Sequence, residues 1–258
     1  MDMLSRRVEA TPDRTALIDS ETGRTWSYRE LHRLTEQVVS KLTAHGGDEV
    51  NRIGTLLSPR PAFVATFHAA VRLGSTVVGL DTNLASRELR VRLERTAPEL
   101  VVCENETCDL PTEGRANRGD GDTFQLLNVD EWTVTENSTS NTPVGDGPDS
   151  TPVGDGPDNG RQRVTREPYP AVPGEQTPLE ASESIEDETA LVLFTSGTTG
   201  EPKAVRLTRG NLTASAEAAA YRLGVSPGDR WLGCLPVYHM GGLAPVVRTV
   251  QYGTTLVL

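Results

Sequence analysis

The 258-residue chain is nearly without lysine: of its 25 basic residues 23 are arginine, which leaves Lys41 and Lys203. Against 36 acidic residues this gives a net charge of −11. Such a balance excludes a nucleic-acid or anionic-membrane surface, both of which need clustered Lys and Arg. Lysine poverty with surplus acid resembles the proteins of salt-loving microbes, although an Arg-rich codon bias produces the same ratio. Cysteine is also scarce. Cys103, Cys108 and Cys234 form no CxxC pair and leave an odd thiol, so neither a disulfide framework nor a zinc site is expected, and a reducing cytoplasm fits. Long apolar runs are missing too: no stretch approaches the ~18 residues of a membrane span. The start, MDMLSRRVEATPDRT, lacks the apolar stretch of a signal peptide. A soluble, cytoplasmic protein is expected.

The pattern that is present alternates. Ser27-Tyr28-Arg29-Glu30 has the S-x-x-E form of a capping box, and Leu31, Leu34, Val38 and Leu42 follow at helical spacing until Gly46-Gly47. Strands are predicted at 53–57, 76–80 and 100–103. The intervening helices are predicted at 61–73, closed by Gly74, and at 86–96, ended by Pro98. Strand, helix, strand, helix, strand predicts an α/β fold of mostly parallel sheets with crossover helices. After residue 190 come a strand ALVLF, a Gly-rich loop, a short strand at 205–207 and a helix over 211–223. A strand at 231–235, a helix at 243–251 and a strand at 254–258 complete the chain.

Three parts are therefore expected: 1–132, an insertion at 133–189, and 190–258. TPVGDGPD occurs at 142–149 and again at 151–158, amid Pro, Gly, Ser and Glu. So few apolar groups cannot offset the entropy of ordering, so the insertion reads as a solvated surface loop. It holds 12 acids and 3 bases, which leaves 24 acids and 22 bases elsewhere. The acidity is thus mostly local, and the rest of the chain carries a net charge of −2.

The most informative segment is LVLFTSGTTGEPKAVRLT, 191–208. Gly197 and Gly200 permit backbone conformations in which successive N–H groups converge on an anion. Thr195, Ser196, Thr198 and Thr199 add hydroxyl donors, and Lys203 adds a positive charge. This is a phosphate-binding composition. It is not the G-x-x-x-x-G-K-[ST] loop, because Lys203 stands three residues after Gly200 and Ala204 follows it.

Phe194 to Lys203 resembles the phosphate-loop signature of the adenylate-forming superfamily of acyl-CoA synthetases, adenylation domains and luciferases, [YF]TSGTTGxPKG, with Ala204 in place of the last Gly. The stretches ATPDRTALID, WSYRELHRL, VRLG and STVVGLDTNL also look like that family, although Gly79 stands where Pro is frequent. The resemblance covers the chain apart from the insertion. Pro236-Val237-Tyr238-His239 is similar to the family's P-x-[FY]-H segment, which implies that His239, with Gly241 and Gly242 behind it, borders the acyl and adenylate pocket. The run from His239 through Arg248, Tyr252 and Gly253 looks most like the 2-succinylbenzoate–CoA ligases of menaquinone biosynthesis.

The resemblance implies an enzyme that uses ATP, Mg2+ and CoA. A carboxylic acid attacks the α-phosphorus of ATP, and the CoA thiol then displaces AMP. Lys203 and His239 are the implied catalytic residues, and 195–200 with Lys203 the implied ATP site. The family's later Y-G-x-T-E segment, hinge Asp and C-terminal Lys domain do not occur here, so the chain is expected to be the N-terminal half of a longer ligase, with the C-terminal half as its missing partner. The alternatives are a non-catalytic ATP-binding remnant, an adenylation domain serving a carrier protein, and a synthetase for another acid.

Overall fold

The computed structural model describes residues 2–46, 50–109, 124–132, 188–195 and 202–258. The repeat-bearing insertion up to 187 and the loop residues 196–201 lie outside them. In chain order the elements are α1 (Met3–Ala10), β1 (Thr15–Ile18), β2 (Thr25–Ser27), α2 (Tyr28–Gly46), β3 (Arg52–Leu56), α3 (Pro61–Leu73), β4 (Thr76–Gly79), α4 (Ser86–Thr96), β5 (Leu100–Cys103) and β6 (Gln125–Asn128). After the insertion come β7 (Thr189–Thr195), β8 (Lys203–Thr208), α5 (Arg209–Leu223), β9 (Arg230–Leu232), α6 (Met240–Tyr252) and β10 (Thr255–Val257).

The local signals read from the sequence act as expected. Ser27 and Glu30 form the capping box: Glu30 N–H donates to Ser27 Oγ at 3.2 Å, and Ser27 N–H donates to Glu30 Oε2 at 2.8 Å. Pro61 opens α3, and Gly74 closes it in the left-handed conformation with φ 76°. The end of α4 is less comfortable. Ala97 adopts φ 40°, a region that disfavours a Cβ, before Pro98 stops the helix.

Two sheets result. The larger has the order β6-β5-β3-β4-β7-β8, parallel except for the antiparallel edge pair β7–β8. Its central strands are buried on both faces, the usual state of a parallel sheet flanked by helices. Along β7, Leu191 and Leu193 face one core with Phe63 of α3 and Leu31 of α2, while Val192 and Phe194 face a second core with Leu89 and Leu93 of α4. The smaller sheet, β2-β1-β10-β9, joins the first thirty residues to the last thirty: β1 pairs with β10 in parallel.

That union also fixes α6. The last carbonyls of a helix lack internal partners, and here three side chains from the N-terminal region hydrogen-bond carbonyls at and just beyond its end. Arg7 donates to the carbonyls of Val250 and Gln251, and Arg14 donates to that of Gly253. The buried Tyr28 hydroxyl lies 2.8 and 2.6 Å from the carbonyls of Thr249 and Thr254 and shares its proton between them. Gly253, at φ 74°, has no room for a side chain, because its Cβ would lie 2.6 Å from Arg7 Nη1. The cations also complement the negative end of the helix dipole.

One expectation is corrected. The turn after β5 brings Cys108 back to Cys103, with Cα atoms 5.1 Å apart, and the two form a disulfide. Thr107 and Cys108 both donate backbone N–H groups to Glu104 O, so the chain reverses within one turn. A four-residue spacer is not a CxxC motif, yet this reversal closes it. Cys234 is free and exposed. Cysteine usage therefore gives no argument for a reducing compartment. Among the described residues, no helix is long and apolar enough to cross a membrane.

Candidate functional site

The β7–β8 hairpin sets the geometry of the candidate nucleotide side. Its register places Thr195 directly opposite Lys203, both exposed, at the open end from which the loop departs. Lys203 is thus the first residue of β8 rather than part of the loop, and its ammonium projects from a fixed strand. Ser196, Gly197, Thr198, Thr199 and Gly200 lie outside the described residues. Thr195 ends a parallel strand, and ligands of open α/β sheets bind beyond the carboxyl ends of such strands.

Helix α4 grips both anchors of this hairpin. The Arg92 guanidinium lies over the Phe194 ring, 4.9 Å from its centroid. Arg95, one turn on, donates to the carbonyl of Pro202 at 2.8 Å. The phosphate-loop motif gives no hint of either contact. Their i, i+3 spacing on a helix was the available signal, since it puts two cations on one face.

His239 stands at the head of α6. It occupies the N-cap in an extended conformation without a side-chain cap hydrogen bond, and it is exposed. Its ring meets that of Tyr238 edge-on at 4.7 Å. The two following glycines differ. A Cβ on Gly242 would lie 2.2 and 2.3 Å from the carbonyl oxygens of Leu235 and Pro236, so its bare α-carbon is already needed by the backbone. Gly241 is exposed and meets only the flexible side chain of Leu235.

The two candidate segments, before Thr195 and before His239, come together at β4. Gly79 lies against both Leu193, two residues before Thr195, and the backbone of Tyr238, one residue before His239. The same strand end therefore carries the approach to both candidate groups. The fit to ATP rests on a hydroxyl and an ammonium facing across an open hairpin end. Among the described residues no cluster of three or more His, Cys, Asp or Glu could hold a metal ion.

The model of the family described as "AMP-binding enzyme" matches residues 4–258. The 2-succinylbenzoate–CoA ligase of Bacillus velezensis is 31% identical over 256 residues, which is 99% of this chain and 43% of that protein. The Bacillus subtilis ligase of the same name is 29% identical over 255 residues, with the same 43% covered. The structure of O-succinylbenzoate coenzyme A synthetase from Bacillus subtilis in complex with ATP and magnesium ion superposes with a TM-score of 0.71. It is 27% identical, and the match covers 100% of this chain and 56% of that one. The N-terminal domain of FACL13 from Mycobacterium tuberculosis shares the fold, with a TM-score of 0.72 at 22% identity and 99% and 55% of the two chains covered. The chain thus spans less than half the length of the curated relatives it matches.

Proposed function

The chain belongs to the AMP-binding enzyme family, and on that premise we propose that it is the ATP- and acyl-binding part of an acid–CoA ligase whose acid is 2-succinylbenzoate. The observation that carries the nucleotide half is the Thr195–Lys203 register. In the first step a carboxylate oxygen of the acid bonds to the α-phosphorus as the bond to pyrophosphate breaks. Lys203 offsets the charge that gathers on the phosphate oxygens, and the Thr195 hydroxyl donates to them. Mg2+ supplies further charge neutralisation when bound with ATP. In the second step the CoA sulfur bonds to the acyl carbon, AMP leaves with the oxygen, and the thiol proton is lost. His239 borders the acyl group throughout. The substrate assignment is supported by the run from His239 to Gly253 and by the identity of the relatives. A cytoplasmic setting is part of this reading, supported by the proposed use of ATP and CoA.

The chain spans 43% of those relatives, and the two-step reaction is proposed for a ligase of their full length. The test has two arms. Calorimetry on this chain should detect Mg-ATP, with binding weakened about tenfold in Lys203→Ala, the scale of one charge-assisted hydrogen bond. In the complete ligase, 2-succinylbenzoate should stimulate ATP–pyrophosphate exchange. Equal binding by Lys203→Ala refutes the phosphate role, and exchange indifferent to 2-succinylbenzoate refutes the substrate.

A further inference from the structure

The turn after β4 touches the segment that leads to His239. At Gly79 a Cβ would lie 2.8 Å from Leu193 Cδ2 and 3.2 Å from Tyr238 Cα. The bare α-carbon therefore lets the Tyr238 backbone cross the strand end closer than a residue with a side chain would allow. Beyond it, Asp81 shapes a tight turn: Asn83 N–H donates to Asp81 Oδ1 at 2.9 Å. The Asn83 side-chain amide then reaches out and donates to Tyr238 Oη at 3.0 Å. Burial first, and the nearby Asp81 carboxylate second, push the Tyr238 phenol pKa up. Tyr238 thus approaches Gly79 closely with its backbone and is held at its tip by Asn83, whose own turn Asp81 shapes. Its ring in turn abuts the imidazole of His239, which makes no capping bond of its own.

We infer that the Asp81–Asn83 turn is a positioning device for the acyl side of the site, acting through Tyr238 to orient His239. Asp81 and Asn83 are positioning residues, since nothing places them against a reacting atom. The inference rests on the acyl role proposed above for His239. It is specific to this side, because the β7–β8 hairpin draws its own support from Arg92 and Arg95. Loss of the Asn83 amide should therefore loosen the 236–242 segment and weaken acyl recognition while leaving nucleotide binding intact.

The experiment compares the wild-type chain with Asn83→Ala, Asn83→Gln and Tyr238→Phe, by amide hydrogen exchange and by calorimetry. Two probes are used: Mg-ATP, and an acyl-sulfamoyl adenosine carrying the 2-succinylbenzoyl group. Asn83→Ala and Tyr238→Phe should each raise exchange in 236–242 about threefold and weaken the acyl probe about two- to tenfold, the span of one hydrogen bond. Mg-ATP affinity should stay within about twofold, as expected for uncoupled sites. Asn83→Gln, which keeps the amide donor, should restore both quantities. Unchanged exchange in Asn83→Ala overturns the inference, as does an equal loss of both ligands. A wild-type chain that binds Mg-ATP but not the acyl probe overturns the underlying acyl assignment instead. That failure is distinguished by the exchange rate, which still rises in Asn83→Ala.

Discussion

Acidification from pH 6.5 to 4 should remove about 3 kcal/mol from the stability of the fold through His68 alone. His68 sits mid-way along α3, fully buried, with its ring edge-on to Phe67 and its Nε2 without a hydrogen-bond partner among the described residues. Burial pushes its pKa down from 6.5 to about 4. The Asp2 carboxylate pulls it upward and the Arg72 guanidinium downward, both by less. In the unfolded chain the imidazole takes its proton near 6.5, but in the folded chain only near 4. Between these values the unfolded state binds more protons, so stability rises with pH and is lost as pH falls. The interval of 2.5 units between the two values, at roughly 1.36 kcal/mol per unit, gives the figure of about 3 kcal/mol. Asp2 does not share the window. Burial opposes its ionisation, but Arg72 and Ser5 outweigh that and hold its carboxyl well below the usual range. Urea midpoints measured at intervals across the window, on the wild-type chain and on His68→Leu, isolate the effect. The variant should show a pH slope shallower by about 3 kcal/mol over the whole interval. Identical slopes, or a His68 resonance titrating near 6.5, would refute the reasoning.

Two further outcomes follow from contacts that fix the site from behind. Tyr28→Phe takes the hydroxyl from the Thr254 carbonyl and from the Thr249 carbonyl, which keeps its backbone donors, and should lower stability by about 1 kcal/mol in urea titration; an unchanged midpoint would show that water replaces the hydroxyl. Arg95→Ala removes an exposed contact to Pro202, so thermal unfolding should shift little, by an equivalent of at most about 1 kcal/mol. Its Mg-ATP affinity should nonetheless fall about threefold, as one anchor of the hairpin loosens; equal affinity would show that the anchor is idle.

What the sequence made legible was local. The Ser27–Glu30 box, Pro61 and Gly74 act through neighbours three or four residues away, so α2 and α3 could be bounded by inspection. The parallel order could be expected from alternation, but the antiparallel β8 edge could not, and with it went the true place of Lys203 on a strand. The N-terminal clasp on α6 was illegible for the same reason: Arg7 and Val250 are 243 positions apart, and no periodicity records such a pairing. Cys103 and Cys108 failed differently, since their spacing was visible but the reversal at Glu104 was not. The lysine count acquires a physical sense from these contacts. Arg7, Arg14, Arg95 and Arg209 all donate to backbone carbonyls, a task suited to a planar fork of N–H groups. Lys41 lies over the Trp132 ring. Lys203 stands at the hairpin mouth, where a compact ammonium suits a phosphate oxygen better than a fork that must satisfy several acceptors at once. On the phosphate role proposed for Lys203, Lys203→Arg is a sharper test than removal of the charge, because it keeps the charge and changes only its shape.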